Sequence, residues 1–146
     1  MEERNLPLGM EVGKMLREMF RVLKKRTCEQ AQIKLTIEEF GLLHAISRKE
    51  DDVIQKDMAY ILGKDKSAIL RLIDSLEKKD LVRRVVDTND RRKNYLMVTK
   101  NGEKALKEYV EIGAKLMTEL QEGLTDSDMD TFYKVVDQIR SNSEKI

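Results

Sequence analysis

Three consecutive cations, Arg91, Arg92 and Lys93, stand in the middle of DTNDRRKNY, residues 87–95. Guanidinium and ammonium groups gathered on a turn are suited to binding clustered anionic oxygens. Asp90 stands directly before them. A carboxylate there opposes anion binding unless it holds an arginine in place by a charge-assisted hydrogen bond. A second polar and cationic group, Lys64, Lys66, Ser67 and Arg71, lies upstream. Other chemistries lack their residues. One cysteine, Cys28, and one histidine, His44, cannot build a zinc site of usual composition. A lone histidine of this kind is more often a satisfied core or interface residue than a ligand. There is no Ser/His or Cys/His pair with a supporting acid, no phosphate-binding glycine loop and no paired-carboxylate pocket. The chain therefore reads as a non-enzyme without a cofactor or metal. DSDMD at 126–130 lacks the glycine and terminal glutamate of a calcium loop, and its acids suit the start of a helix.

Charge is distributed unevenly. Residues 1–54 carry 10 Lys+Arg against 10 Asp+Glu, residues 55–102 carry 12 against 7, and residues 103–146 carry 6 against 10. A middle segment of net +5 between a neutral and an acidic flank asks for an anionic partner. The chain's 146 residues fit one domain, and 38% charged with 40% hydrophobic residues is the composition of a folded, soluble protein. No apolar run reaches the roughly 18 residues of a membrane span. MEERNLPLG has acids where a signal peptide needs cations, so a cytoplasmic location is expected. The lone Cys28 fits a reducing compartment.

The elements that must position the cations can be read from periodicity. Leu8, Val12, Met15, Leu16, Met19 and Leu23, widened by Phe20, recur at helical spacing over residues 8–30. In TIEEFGLLHAISRK, Thr36 and Glu39 have capping-box spacing. Ile37, Phe40, Leu43, His44 and Ser47 share one side of the helix that follows, and EDD at 50–52 ends it. IQKDMAYILG predicts a short helix closed by Gly63 in the left-handed conformation. KDKSAILRLIDSLEKKD predicts a longer one, with Asp65 as N-cap and a buried stripe of Ile69, Leu72, Ile73 and Leu76. Lys78 and Lys79 suit its C-terminal end, where cations offset the helix dipole. LVRRVV and YLMV have strand propensity, and the eight residues between them, Asp87 to Asn94, exceed a two-residue hairpin turn. Residues 103–122 predict a helix with Ala105, Leu106, Tyr109, Ile112 and Leu116 inward. Thr125 caps a last helix marked by Met129, Phe132, Tyr133, Val136 and Ile139.

Two helices meeting across a turn, followed at once by a strand–loop–strand, make a winged helix-turn-helix. The second helix of such a pair fits the major groove of double-stranded DNA. A hairpin tip beside it, polar and rich in arginine, suits the negative potential of the narrow minor groove. The fold class expected is mainly α with a small β-hairpin.

The stretch LGKDKSAILRLIDSLEKKDLVRRVVDTNDRRKNYLMVTKNG resembles the signature of the MarR family of transcriptional regulators. The family's wing has an Asp, one intervening residue and an Arg, then a strand ending in Leu-Thr and a following Gly. Here these are Asp90, Arg91 and Arg92, then Val98, Thr99 and Gly102. LTIEEFGLLHAI looks like the family's second helix, and the flanking helices match in length and order. The resemblance implies a winged helix over about residues 36–99. It also implies dimerisation helices over about 8–32 and 103–143, which interlock with a second copy. By position, Arg92 would reach the minor groove, Asp90 would buttress it with Arg84 as a further partner, and Lys66, Ser67 and Arg71 would lie on the recognition helix. Some members of the family sense oxidants through a first-helix thiol; KKRTCEQ places cations beside Cys28, although a lone cysteine is ordinarily structural.

The pattern departs from the family's at three places. Asp80 replaces the usual Gly after the recognition helix, Ala68 and Leu70 stand where small hydroxyl residues are frequent, and Ile54 stands where an N-cap hydroxyl is usual. The resemblance implies a homodimeric repressor on a pseudo-palindromic operator, released by a small, often aromatic or acidic effector. The alternative is a winged-helix interaction module that has lost DNA binding, for which the missing hydroxyls speak.

Overall fold

The computed structural model describes residues 7–49, 55–86, 88–90 and 94–146. Its elements are α1 (Leu8–Gln30), α2 (Ile37–Arg48), α3 (Gln55–Leu62), α4 (Lys66–Lys78), β1 (Val82–Val86), β2 (Asn94–Val98), α5 (Lys100–Leu120) and α6 (Asp126–Ser143). The order matches the sequence reading, with the ends moved by a few residues. Residues through Gly113 form one compact unit and Ala114–Ile146 a second. The expected end of α2 at 50–52 and the weak start at Ile54 lie outside the described residues.

In the first unit the core is built by α2, α3, α4, the hairpin and the start of α5. Leu42, Leu43 and Ile46 of α2 meet Met58 of α3, Ile69, Ile73 and Leu76 of α4, Leu81, Val82, Leu96 and Ala105. The expected stripe of α4 is therefore the buried one, with Leu72 at its margin. On α2 the buried residues are Glu39, Leu42, Leu43 and Ile46. Of the side that bears Ile37, Phe40, Leu43, His44 and Ser47, Leu43 is buried and Phe40 half-buried, while Ile37, His44 and Ser47 are exposed. His44 stacks on Phe40 at 5.8 Å between ring centroids, and Phe40 stacks at the same separation on Tyr109 of α5. Periodicity found a helix but could not say which of its two apolar stripes α3 and α4 would cover.

Local chemistry sets the ends. Thr36 Oγ1 accepts from the Glu39 N–H at 3.0 Å and Glu39 Oε1 accepts from the Thr36 N–H at 3.2 Å. This is the expected capping box, and Thr125 and Asp128 repeat it at the start of α6. The hairpin is antiparallel, pairing Val82 with Val98, Arg84 with Leu96 and Val86 with Asn94.

The hairpin's base is fastened to the ends of α4 and α5. Thr99 donates from its N–H to the Leu81 carbonyl at 3.0 Å and from Oγ1 to the Asp80 carbonyl at 2.6 Å. The same Oγ1 accepts from the Gly102 N–H at 3.0 Å, which caps α5. Gly102 is required there. A Cβ at that position would stand 2.2 Å from the Leu81 carbonyl oxygen and 2.7 Å from Val98 Cγ1. Asp80 has φ 57°, the left-handed conformation that a glycine would adopt without strain.

Helix α1 leaves Leu8, Met10, Val12, Met15, Leu16 and Phe20 exposed, while Met19 and Leu23 are half-buried. In α5, Ala105, Tyr109, Ile112 and Leu116 are buried, as their spacing predicts, and Leu106 is half-buried. In the second unit, α6 buries none of its side chains, and Phe132, Tyr133, Val135 and Ile139 are exposed. Among the described residues, no helix is long and apolar enough to cross a membrane.

Candidate nucleic-acid interface

The turn between α3 and α4 determines what α4 presents. Gly63 takes φ 60°, and the Lys64 N–H returns to the Ala59 carbonyl at 3.1 Å. Asp65 Oδ1 accepts from the Ala68 N–H at 2.8 Å, so the N-cap is the residue expected. With Ile69, Ile73 and Leu76 committed to the core, the opposite face of α4 is fixed. Lys66, Ser67 and Arg71 all lie exposed on it, followed by Asp74 and Lys78. Ala68 and Leu70 are half-buried, at the edge of that face. Lys64 is half-buried, with Nζ 3.7 Å from Glu38 Oε1. Tyr60 of α3, which no sequence pattern singled out, is 91% exposed three residues before Gly63.

The wing divides into a described stem and a tip outside the described residues. Arg91, Arg92 and Lys93 belong to the tip. Asp90 is half-buried. Along β1 the side chains alternate. Val82 and Arg84 face the side where Leu96 is buried, and Arg83 faces out, its side chain 73% exposed. Arg84, expected among the DNA-contacting residues, has its guanidinium on α4. Nη2 donates to Asp74 Oδ1 at 2.6 Å and Nη1 donates to Glu77 Oε1. The Arg84 N–H also points to Glu77 Oε2 at 3.4 Å. Sequence reading missed both acids, because partners ten and seven residues away on different elements leave no local pattern.

A second charged cluster was also missed. Lys79, expected to serve the helix dipole, sends its ammonium across to α2. Nζ donates to both carboxylate oxygens of the buried Glu39, at 2.8 and 3.0 Å, and to the Lys34 carbonyl at 2.8 Å. Ser75 Oγ donates to Glu39 Oε2 at 3.1 Å. Burial alone would push the Glu39 carboxyl up. Lys79, the Thr36 N–H and Ser75 together outweigh it and hold the carboxyl below its ordinary 4.5. The capping-box glutamate thus also anchors the C-terminal end of α4.

Cys28 is exposed near the end of α1, and its carbonyl accepts from Lys34 Nζ at 2.5 Å. Lys34 also donates to the Ala31 carbonyl at 2.6 Å, closing the C-terminal end of α1. Tyr109 of α5 grips the same connection. Its hydroxyl accepts from the Leu35 N–H at 2.6 Å and donates to the Leu35 carbonyl at 3.3 Å.

Residues 33–93 match the model of the MarR family. Over that segment, the winged helix, the chain is similar to the MarR family. The segment matched runs from the lead-in to α2 through α4 and β1 to the wing tip. Solved MarR-family structures share the architecture over nearly the whole chain. A MepR–DNA complex from S. aureus superposes with a TM-score of 0.80 at 22% identity, covering 94% of this chain and 99% of that one. A mutant MarR from E. coli complexed with operator DNA gives 0.78 at 22% identity, covering 92% and 94%. CouR from Rhodococcus jostii, bound to p-coumaroyl-CoA, gives 0.75 at 18% identity, covering 95% of each. Mainly helical, with one antiparallel hairpin, the chain has the MarR-family winged helix-turn-helix fold.

Proposed function

We propose that this chain is a homodimeric, sequence-specific DNA-binding transcriptional regulator that acts as a repressor and is released by a small molecule. The observation that carries the reading is the outer face of α4. Lys66, Ser67 and Arg71 stand exposed on a helix whose other face is locked in the core. A helix of that width and charge suits a major groove. Ser67 and Arg71 would reach base edges and phosphates from its N-terminal half, and Lys66 and Lys64 would meet the backbone. Arg91, Arg92 and Lys93 would bring the wing tip to the neighbouring minor groove, with Arg92 inserted and Asp90 holding it. MepR and MarR occur on DNA and CouR with an acyl-CoA, which supports both kinds of partner.

The exposed apolar side chains of α1 and α6 would pack against their counterparts in a second copy. Two recognition helices would then enter successive major grooves of a pseudo-palindromic operator, about one helical turn apart. An aromatic or acidic effector that changes their separation would lower affinity, because both half-sites could no longer be engaged together. Cys28 is at most a secondary input to that switch.

The test is selection of bound fragments from the source genome, then anisotropy titration of the best one at two salt concentrations. Wild type should bind tightly and with a steep salt dependence. Arg92→Ala should weaken binding about tenfold or more and reduce the salt slope by about one. Weak binding without sequence preference, indifferent to Arg92, would replace the regulator with an interaction module.

A further inference from the structure

We propose that Arg84 is a positioning residue, a strut between the wing and the recognition helix, and that it makes no contact with DNA. This rests on the DNA-binding reading above and refines it by removing one arginine from the contact surface. Three observations carry it. First, the strand alternation turns Arg84 toward the side of the hairpin where Val82 and Leu96 are buried, while its neighbour Arg83 takes the solvent side. The Arg84 side chain is 25% exposed and that of Arg83 73%. Second, both terminal nitrogens of Arg84 are engaged by carboxylates, Asp74 Oδ1 at 2.6 Å and Glu77 Oε1. A guanidinium bound through a planar fork is fixed in direction as well as position, which a lysine cannot reproduce. Third, Asp74 and Glu77 are one turn apart on α4, and Asp74 lies on the same outer face as Arg71. Left unmasked, Asp74 would repel the phosphates that Arg71 is placed to meet.

Arg84 therefore does two jobs through α4. It sets the angle at which the wing leaves the recognition helix, and it neutralises acids that would oppose DNA. Beyond the hairpin's base, where Thr99 and Gly102 hold the backbone, it is a side-chain tie from the middle of β1 to α4. A wing tip at the end of a short two-stranded stem magnifies any error in that angle.

The experiment uses the full chain and the genomic fragment that wild type binds best, with Arg84→Met, Arg84→Lys, Glu77→Gln and the Arg84→Met/Glu77→Gln double variant. A strut predicts that Arg84→Met weakens binding about tenfold while the slope of log affinity against log salt stays at the wild-type value. It also predicts that Arg84→Lys is nearly as weak as Arg84→Met, and that the double variant is no weaker than Arg84→Met alone. Without DNA, Arg84→Met and Glu77→Gln should each lower Tm, and their effects should not add. A phosphate contact predicts the opposite pattern: a slope reduced by about one, rescue by Arg84→Lys, and an unchanged Tm. That pattern would overturn the proposal. Failure of wild type to bind any fragment would sink the DNA-binding reading instead, and the Tm cycle would still decide whether Arg84 ties β1 to α4.

Discussion

Two residues at the base of the wing show how much a single position can demand. Gly102 has no room for a side chain, since a methyl would have to displace the Leu81 backbone and Val98 together. Gly102→Ala should cost about 3 kcal/mol, the upper range for overpacking that moves backbone. Urea denaturation would measure it, and a loss under 1 kcal/mol would mean that α5 can simply slide away from the hairpin. Asp80 has the converse problem, a side chain where the backbone is left-handed. Its Oδ2 accepts from Asn101 Nδ2 at 3.0 Å, which offsets part of the strain. Asp80→Ala keeps the strain and loses the bond, whereas Asp80→Gly loses both. Asp80→Gly should therefore be more stable than Asp80→Ala by about 1 kcal/mol. Equal stabilities would mean that the turn relaxes out of the left-handed region. The resemblance to the MarR family flagged both positions, the first through its place after Val98 and Thr99 and the second as a departure from glycine. It could not show that one reason, the close approach of α5 to the end of α4, lies behind Gly102.

Between elements, the Glu39–Lys79–Ser75 cluster pins α4 to α2. The carboxylate is buried and the ammonium half-exposed, so removing the cation leaves a charge with two fewer donors. Lys79→Met should cost about 2 kcal/mol, below the 3–5 kcal/mol of a fully buried pair because water can partly replace the ammonium. Because the folded-state value of Glu39 is depressed, its contribution is fully present above the ordinary 4.5 and is lost as pH falls through the lower folded value. Stability measured from pH 7 down to pH 3 should therefore fall more steeply in wild type than in Glu39→Gln. Identical slopes would remove Glu39 from the acid response. Local signals did well at this scale: the capping box of α2, the N-caps Asp65 and Thr125, Gly63 and the apolar stripe of α4 were all legible, since each depends on neighbours a few residues away. Which stripe of α2 would be buried was not, nor that Lys79 would leave its own helix for Glu39. Those outcomes depend on elements that meet only in three dimensions.

For the whole molecule, the decisive fact is how much apolar surface the long helices leave exposed. Leu8, Val12, Met15, Leu16 and Phe20 on α1 and Phe132, Tyr133, Val135 and Ile139 on α6 are all more than a third exposed. Scattered apolar side chains on a surface need no explanation, but whole stripes repeated along two helices mark an interface. In the proposed dimer these stripes are covered by a second copy, and the two winged helices act as linked ligands for one duplex. Avidity of that kind raises affinity by about 10²–10⁴ over a single module. Leu16→Glu combined with Phe20→Glu should therefore do two things at once. Sedimentation should show a monomer where wild type is a dimer, with the helical signal in far-ultraviolet circular dichroism largely kept. Operator affinity should fall about a hundredfold or more, although neither residue is near α4. A monomer that binds the full operator as tightly as wild type would show that one winged helix suffices, and the symmetric-dimer mechanism of release would go with it. A variant that stays dimeric would instead move the interface away from the α1 stripe.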